Sequence, residues 1–311
     1  MKDIISKAKL VKSPEMSSSI SIWTDYCELQ CLADEHHQID RDQFSSIVIK
    51  SEDFAKVSEG AQKNRKERLS TLIQDVYTHV SLREQMLADA YPFVVNDDDQ
   101  LCMKEGALTG REKMYIFLLC ASNLEYMQSI HELTSDFEVM SLMYMRQLFP
   151  SMIFKLFGSS NNNTKLQAED VINDVKLSDR ITSLSEFIAV SLDRESVNKI
   201  DSRNRGDGGL DLVGIRQMGD ERKSIPIIFG QCACSKDQWS AKQQSISDQK
   251  WKRYLRTWET SIQTYIFIPI WNMNSEKLFE DDLYLCHCVL VDRQRLLHLA
   301  DDGFLQYLTS V

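Results

Sequence analysis

Two aspartates flank a diglycine in Gly206-Asp207-Gly208-Gly209-Leu210-Asp211, and the chain then runs into the apolar stretch Leu212-Val213-Gly214-Ile215. A second apolar stretch, Ile225 to Cys234, carries one amide side chain, Gln231, twenty residues after Asp211. Alternate residues of a strand share a face, so Gln231 and Ala233 point the same way, with Ile227 and Phe229 behind them. If the stretches Gly206–Gly214 and Ile225–Cys234 pair, Asp211 and Gln231 converge on one point at the sheet edge. A carboxylate and an amide oxygen there suit a hard divalent cation such as Mg²⁺ or Mn²⁺, with waters and phosphate oxygens completing its shell. The chemistry that such an ion serves is phosphodiester hydrolysis, where it polarises the phosphate and activates a water. A lysine nearby would offset negative charge or orient that water. Lys236, five residues after Gln231, and Lys242, on the helical run that follows, are the candidates. Asp207 has two readings, a further metal ligand or the Asx residue of the Gly-Gly turn, and turn chemistry favours the second.

The string resembles the restriction-endonuclease-like, or PD-(D/E)xK, nuclease superfamily over Ser183 to Ile270. In that family a helix bearing a glutamate comes first, then a strand bearing an aspartate, then a strand bearing Glu/Gln-x-Lys, then a helix. By position, the resemblance assigns the helix glutamate to Glu186, the metal aspartate to Asp211 and the acid-or-amide position to Gln231. Ala233 stands where the family has lysine, and Gln231 where it often has glutamate. The Gly-Asp-Gly-Gly-Leu-Asp approach and the helical front half, with Thr-Ser-Asp-Phe-Glu138, look like components of multi-subunit bacterial defence systems. The resemblance therefore implies DNA and other protein subunits as partners.

The elements that must position these residues are legible in outline. Residues 1–158 read as a mostly helical interaction domain and 159–311 as a restriction-endonuclease-like domain, an α+β or α/β chain in two parts. Ile20, Trp23, Tyr26, Cys27 and Leu32, and later Leu69, Leu72, Ile73, Val76 and Val80, recur at helical spacing. Phe93 to Lys104 reads as a hairpin around an Asn-Asp-Asp-Asp tip. Thr109 with Glu112 is a capping-box start for a buried helix over Lys113 to Met127, and Ser135 with Glu138 repeats the signal for a helix ending before Pro150. The run from Phe157 through Gly158 to Thr164, rich in Ser and Asn, breaks the pattern and marks the expected boundary. Beyond it the spacing predicts a helix over Leu184 to Leu192, strands at Val197–Ile200, Gly208–Ile215, Ile225–Cys234, Gln263–Ile270 and Leu283–Val291, and helices at Ser240–Thr257 and after Arg293. Strands alternating with helices point to an α/β domain.

The chain has 311 residues, a net charge of −10, 43% hydrophobic and 26% charged residues. This is the composition of a globular protein of two ordinary domains. No apolar run is long enough for a signal peptide or a membrane span, and eight cysteines lie mostly in apolar stretches, so the expectation is a reduced, cytoplasmic protein without a membrane partner. An acidic total requires any nucleic-acid surface to be local. Lys236, Lys242, Lys250, Lys252, Arg253 and Arg256 face only Asp237 and Asp248 in one such segment, with Trp239, Trp251 and Tyr254 interleaved. Cations there would neutralise phosphates and aromatic faces would stack on bases. The plainer alternative is an amphipathic stretch whose tryptophans pack on the sheet. Cys232-x-Cys234 and Cys286-His287-Cys288 lie in apolar runs, which favours buried small side chains over a zinc site. No nucleotide-binding glycine motif is present.

Two functions follow as expectations. One is a metal-dependent DNA endonuclease or nuclease-like subunit of a bacterial defence complex. The other is a catalytically inactive nuclease-fold subunit that serves assembly or DNA holding.

Overall fold

The computed structural model describes residues 9–50, 62–128, 132–158, 166–220, 222, 224–236, 239–256, 261–273 and 288–300. The chain divides into two compact units. The first comprises Met1–Ile130, Ile270–Leu283 and Ala300–Val311; the second comprises His131–Pro269 and Tyr284–Leu299. The expected boundary at residue 158 thus falls within the second unit. No helix among the described residues is long and apolar enough to cross a membrane.

In the first unit, helices α1 (Ile20–Ala33), α2 (Arg41–Ile49), α3 (Gln62–Leu87) and α4 (Gly110–Ala121) accompany a small antiparallel sheet in the order β1-β3-β2. Strands β2 (Phe93–Val95) and β3 (Leu101–Met103) form the expected hairpin, and β1 (Gln38–Ile39) adds to its free edge. The Asn96 side chain organises the tip by accepting from the backbone of Asp98 at 3.1 Å and of Gln100 at 2.9 Å. The Thr109–Glu112 capping box is present, although the helix ends at Ala121 rather than near Met127.

The second unit holds a mixed six-stranded sheet in the order β5-β4-β6-β7-β8-β9. It opens with helix α5 (Glu132–Leu148), followed by β4 (Ile153–Phe157), β5 (Val171–Ile172), α6 (Leu177–Phe187) and α7 (Arg194–Asn198). Then come β6 (Leu212–Ile215), β7 (Ile227–Cys232), the short helices α8 (Trp239–Lys242) and α9 (Asp248–Trp251), β8 (Gln263–Phe267), β9 (Cys288–Val291) and α10 (Arg293–Leu299). Strand β6 runs antiparallel to both neighbours, β4 and β7, whereas β7, β8 and β9 run parallel. All six residues of β7 are buried, as a central strand covered on both faces requires. Trp251 packs edge-on against Phe157 and Phe229, with ring centroids 5.8 and 5.7 Å away, and joins Ile181, Leu184, Val213 and Ile246 in the core on one face of this sheet.

Several expectations shift. Ser135 and Glu138 lie inside α5, which already runs at Glu132, so they form no cap. The stretch Val197–Ile200 is not a strand. Asp193 accepts from the Ser196 backbone at 3.2 Å and caps helix α7 instead. The helix predicted over Leu184–Leu192 is centred earlier, at α6. The one predicted over Ser240–Thr257 is two single turns around a 3₁₀ turn, Gln243–Ile246. Residues 159–165 of the breaker run, and Cys286 and His287, lie outside the described residues.

Candidate functional site

The geometry starts at the diglycine turn. Gly208 and Gly209 take φ of +66° and +76°, the left-handed region that a side chain disfavours. The Asp207 carboxylate accepts from the Gly209 backbone N–H at 2.5 Å and is therefore the Asx residue of the turn. Both glycine carbonyls are held by the segment after β7: the Lys250 ammonium donates to that of Gly208, and the Ser245 hydroxyl lies 2.8 Å from that of Gly209. A Cβ on Gly209 would overlap the Ser245 side chain. The turn is thereby clamped where it delivers the chain into β6.

Pairing of β6 with β7 places Leu212 opposite Gly230. One further step of this register brings Asp211 opposite Gln231, and directly opposed residues share a face. The contact is made: Gln231 Nε2 donates to Asp211 Oδ2 at 2.7 Å, and the Cys232 backbone N–H donates to the same oxygen at 2.6 Å. Both side chains are about 5% exposed, which is unusual for an unpaired acid. Hydrogen bonds to Asp211 from the described residues end on Oδ2 and leave Oδ1 open.

Burial and neighbouring charges both act on Asp211. Burial pushes the Asp211 carboxyl well above the usual carboxylate range, and the negative charges of Glu138 and Asp207 push it further. The Cys232 backbone N–H and Lys242 pull the other way. Burial likewise raises the Cys234 thiol to about 12, with Lys242 opposing and Glu138 and Asp211 assisting. Glu138, half-buried on α5, is thus a helix glutamate whose charge is felt by both Asp211 and Cys234. Glu186 is exposed at the end of α6, and its assignment is corrected. The error came from taking the nearest preceding helix. Glu138 precedes Asp211 by more than seventy residues, and its only sequence signal was a spurious cap.

The lysine assignment also changes. Lys236 lies half-buried in the turn after β7, whereas Lys242, at the end of α8, is the cation that counters both Asp211 and Cys234. Ala233, two residues after Gln231, is fully buried.

The basic segment divides by what each side chain does. Lys250 is tied to the Gly208 carbonyl, Lys252 pairs with Asp248 at 3.3 Å, and Arg256 pairs with Asp193 at 2.9 Å. Arg253 is exposed. Trp239 and Trp251 are 6% and 1% exposed and cannot offer a face to a base, so the stacking role expected of Trp239 is corrected to one in packing.

The residues fit a Mg²⁺-type ion that keeps most of its shell as water and substrate oxygens. A buried carboxylate with an open oxygen, crowded by two other carboxylates, gains from a cation. Among the described residues no three His, Cys, Asp or Glu side chains gather into a complete metal cage. An ion here would depend on Asp211, an amide oxygen, water and substrate oxygens, an arrangement usual for Mg²⁺. Comparison of the chain with protein-family models, with curated proteins and with solved structures finds no match.

Proposed function

We propose that the second unit is a restriction-endonuclease-like core that hydrolyses DNA phosphodiesters with a divalent ion, as an endonuclease or nuclease subunit of a bacterial defence complex. The observation that carries this reading is the Gln231 to Asp211 hydrogen bond of 2.7 Å across β6 and β7. The order of elements supports it: a helix with Glu138, a strand entered at Asp211, a strand bearing Gln231, then helical turns. This is the order of the family that the sequence resembles, with the glutamate drawn from α5.

A Mg²⁺ or Mn²⁺ ion held at Asp211 would supply Lewis acidity toward a phosphate oxygen. Asp211 is presented by the clamped turn, and Gln231 lines the same edge. In this reading Glu138 would accept a proton from the attacking water, and Lys242 would offset the charge that accumulates. Attack of the water oxygen forms one P–O bond and breaks another, and the departing oxygen takes a proton from solvent.

The test is plasmid cleavage in Mg²⁺ or Mn²⁺ by the full chain, alone and with the products of neighbouring genes. Cleavage by the wild type that is abolished in Asp211→Ala and strongly reduced in Glu138→Gln and Lys242→Ala is expected. Absence of cleavage in every mixture, with Asp211→Ala also harmless to defence in cells, removes the enzymatic reading. A second reading, a nuclease-fold subunit without activity, is favoured by the buried Ala233 in place of lysine. It predicts DNA or partner binding that Asp211→Ala leaves intact.

A further inference from the structure

The segment after β7 reaches the Asp211–Gln231 pair through one small side chain. Ser245, in the 3₁₀ turn Gln243–Ile246, has its hydroxyl oxygen 2.5 Å from Gln231 Oε1, 2.8 Å from the Gly209 carbonyl oxygen and 2.6 Å from the Lys242 carbonyl oxygen. All three neighbours are acceptors, and a hydroxyl has one proton and two lone pairs. Ser245 can therefore donate to one of them at a time. Its place is fixed: the Trp251 indole N–H donates to the Ser245 carbonyl at 2.9 Å, and a Cβ on Gly209 would come 2.7 Å from its Oγ.

A hydroxyl is the group that can serve either end of an amide, donating to the oxygen or accepting from the nitrogen. The two ends of Gln231 are nearly equal in size, so its orientation is decided by what each end meets. With Nε2 on the Asp211 carboxylate, Oε1 must take the Ser245 proton. A divalent ion beside Asp211 reverses the demand, because an ion attracts the amide oxygen and repels the N–H₂ group. Turning the amide end for end then brings Nε2 to Ser245, whose lone pair accepts it. The serine O–H then turns to donate to the Gly209 or Lys242 carbonyl, both already within reach.

We propose that Ser245 is a positioning residue that sets the Gln231 amide, keeping its N–H₂ on Asp211 in the ion-free protein and receiving that N–H₂ when Oε1 turns to a divalent ion. The inference rests on the reading of Asp211 and Gln231 as a metal-binding pair, and it assigns no contact between Ser245 and the ion.

Binding of Mn²⁺ alone to the full chain, followed by calorimetry or by loss of the free Mn²⁺ electron-spin signal, tests it without reference to cleavage. Removing a partner that orients a ligand commonly weakens metal binding about 10- to 100-fold, and Ser245→Ala is expected to fall in that range. The orienting role predicts rescue in the Gln231→Glu background. A carboxylate has an oxygen at each end, so Ser245→Ala should cost little there. Equal loss in both backgrounds overturns the proposal in favour of a general structural role. Wild-type affinity in Ser245→Ala also overturns it, while leaving the metal reading standing. Failure of the wild type to bind Mn²⁺ removes the metal reading itself and this inference with it. Should Ser245→Ala not fold, Ser245→Thr and Ser245→Val, equal in shape and differing in the hydroxyl, decide the matter: binding as weak in Thr as in Val overturns the proposal, and tighter binding in Thr supports it.

Discussion

Each unit buries carboxylates, and the two treat them in opposite ways. In the first, Asp25 on α1 is 1% exposed, and Glu28 one turn later is fully buried. Arg83 of α3 lies between them, 2.7 Å from Asp25 Oδ1 and 2.9 Å from Glu28 Oε1. Tyr91 and Tyr115 donate to the two Glu28 oxygens at 2.7 Å each, while Asn123 and Ser122 donate to Asp25 Oδ2 at 3.0 and 3.2 Å. Burial pulls the Arg83 guanidinium down, but Glu28, Tyr115 and Asp25 outweigh it and hold its pKa above the ordinary value. In the second unit Asp211 has two neutral donors on one oxygen, two carboxylates nearby and one lysine at longer range. In the first arrangement the Arg83 guanidinium and neutral donors serve both acids, although the buried Arg83 Nε has no hydrogen-bond partner among the described residues. The second is short of positive charge, and that deficit is the ground for the ion proposed there.

The comparison predicts opposite signs for the loss of one charge. Arg83→Met strands two buried acids and is expected to cost about 3–5 kcal/mol, the usual penalty for breaking a buried ionic group. Asp211→Asn keeps an oxygen that can accept from the Cys232 backbone and removes repulsion from Glu138 and Asp207. It is expected to hold stability or raise it by about 0.5–2 kcal/mol, as substitutions that relieve a strained functional site commonly do. Urea denaturation of both variants measures this. A loss of several kcal/mol in Asp211→Asn would erase the distinction between the two clusters.

The glycines sharpen the contrast at smaller scale. Gly106 in the first unit and Gly209 in the second both have positive φ, +98° and +76°. A Cβ on Gly106 would meet nothing within 4 Å, whereas one on Gly209 would meet Ser245 and come within 3.1 Å of Gln231 Oε1. Gly106→Ala is expected to cost about 1–2 kcal/mol from backbone strain alone. Gly209→Ala adds overpacking of about 1–3 kcal/mol. It should also weaken Mn²⁺ binding, which Gly106→Ala should leave unchanged.

Acidity gives the next test. A carboxyl whose pKa is raised on folding keeps its proton longer in the folded chain than in the unfolded one. Its contribution to stability is therefore complete below its ordinary value of 3.8 and is lost as pH rises through the folded value. Melting temperatures of wild type and Asp211→Asn, followed from pH 3 upward, should separate in favour of the variant above about pH 4. Asp292, also raised by burial, is common to both proteins and drops out of the difference. Parallel curves would show that Asp211 does not carry the strained charge.

What the sequence made legible follows from how local each signal is. The β6–β7 pair could be read because turn chemistry, strand alternation and an amide in an apolar run all fall within about thirty residues. Asp211 and Gln231 were placed side by side on that basis alone. The hairpin at Phe93 and the Thr109 cap are local in the same sense. Glu138 was missed because α5 reaches the site through tertiary packing that no spacing encodes. Ser245 was missed because a serine in a short turn carries no periodic signal. Lys242 reads both as an alternative site lysine to Lys236 and as a surface cation, since its nearness to Asp211 depends on α8 ending after one turn. Trp239 misled because an aromatic among lysines reads equally as a stacking face or as a core anchor, and only burial decides.

The smallest expected effect concerns the basic segment, where the contrast is between cations already engaged and those facing solvent. Lys252 and Arg256 are partnered by Asp248 and Asp193, and Lys250 is committed to the diglycine turn. Arg253 is exposed beside them, close enough to depress the Lys250 pKa, to which burial contributes more. If DNA lies along this segment, Arg253→Ala removes one phosphate contact. Affinity should then fall about equally for any sequence, and the slope of log affinity against log salt should shrink by about one. Arg256→Ala should change the slope less, because Asp193 already neutralises part of that charge. The comparison needs duplex binding measured between low and moderate salt in Ca²⁺, with an Asp211→Ala background to prevent cleavage. Identical slopes in wild type and Arg253→Ala would move the DNA path off this segment while leaving the Asp211–Gln231 geometry, and the tests built on it, untouched.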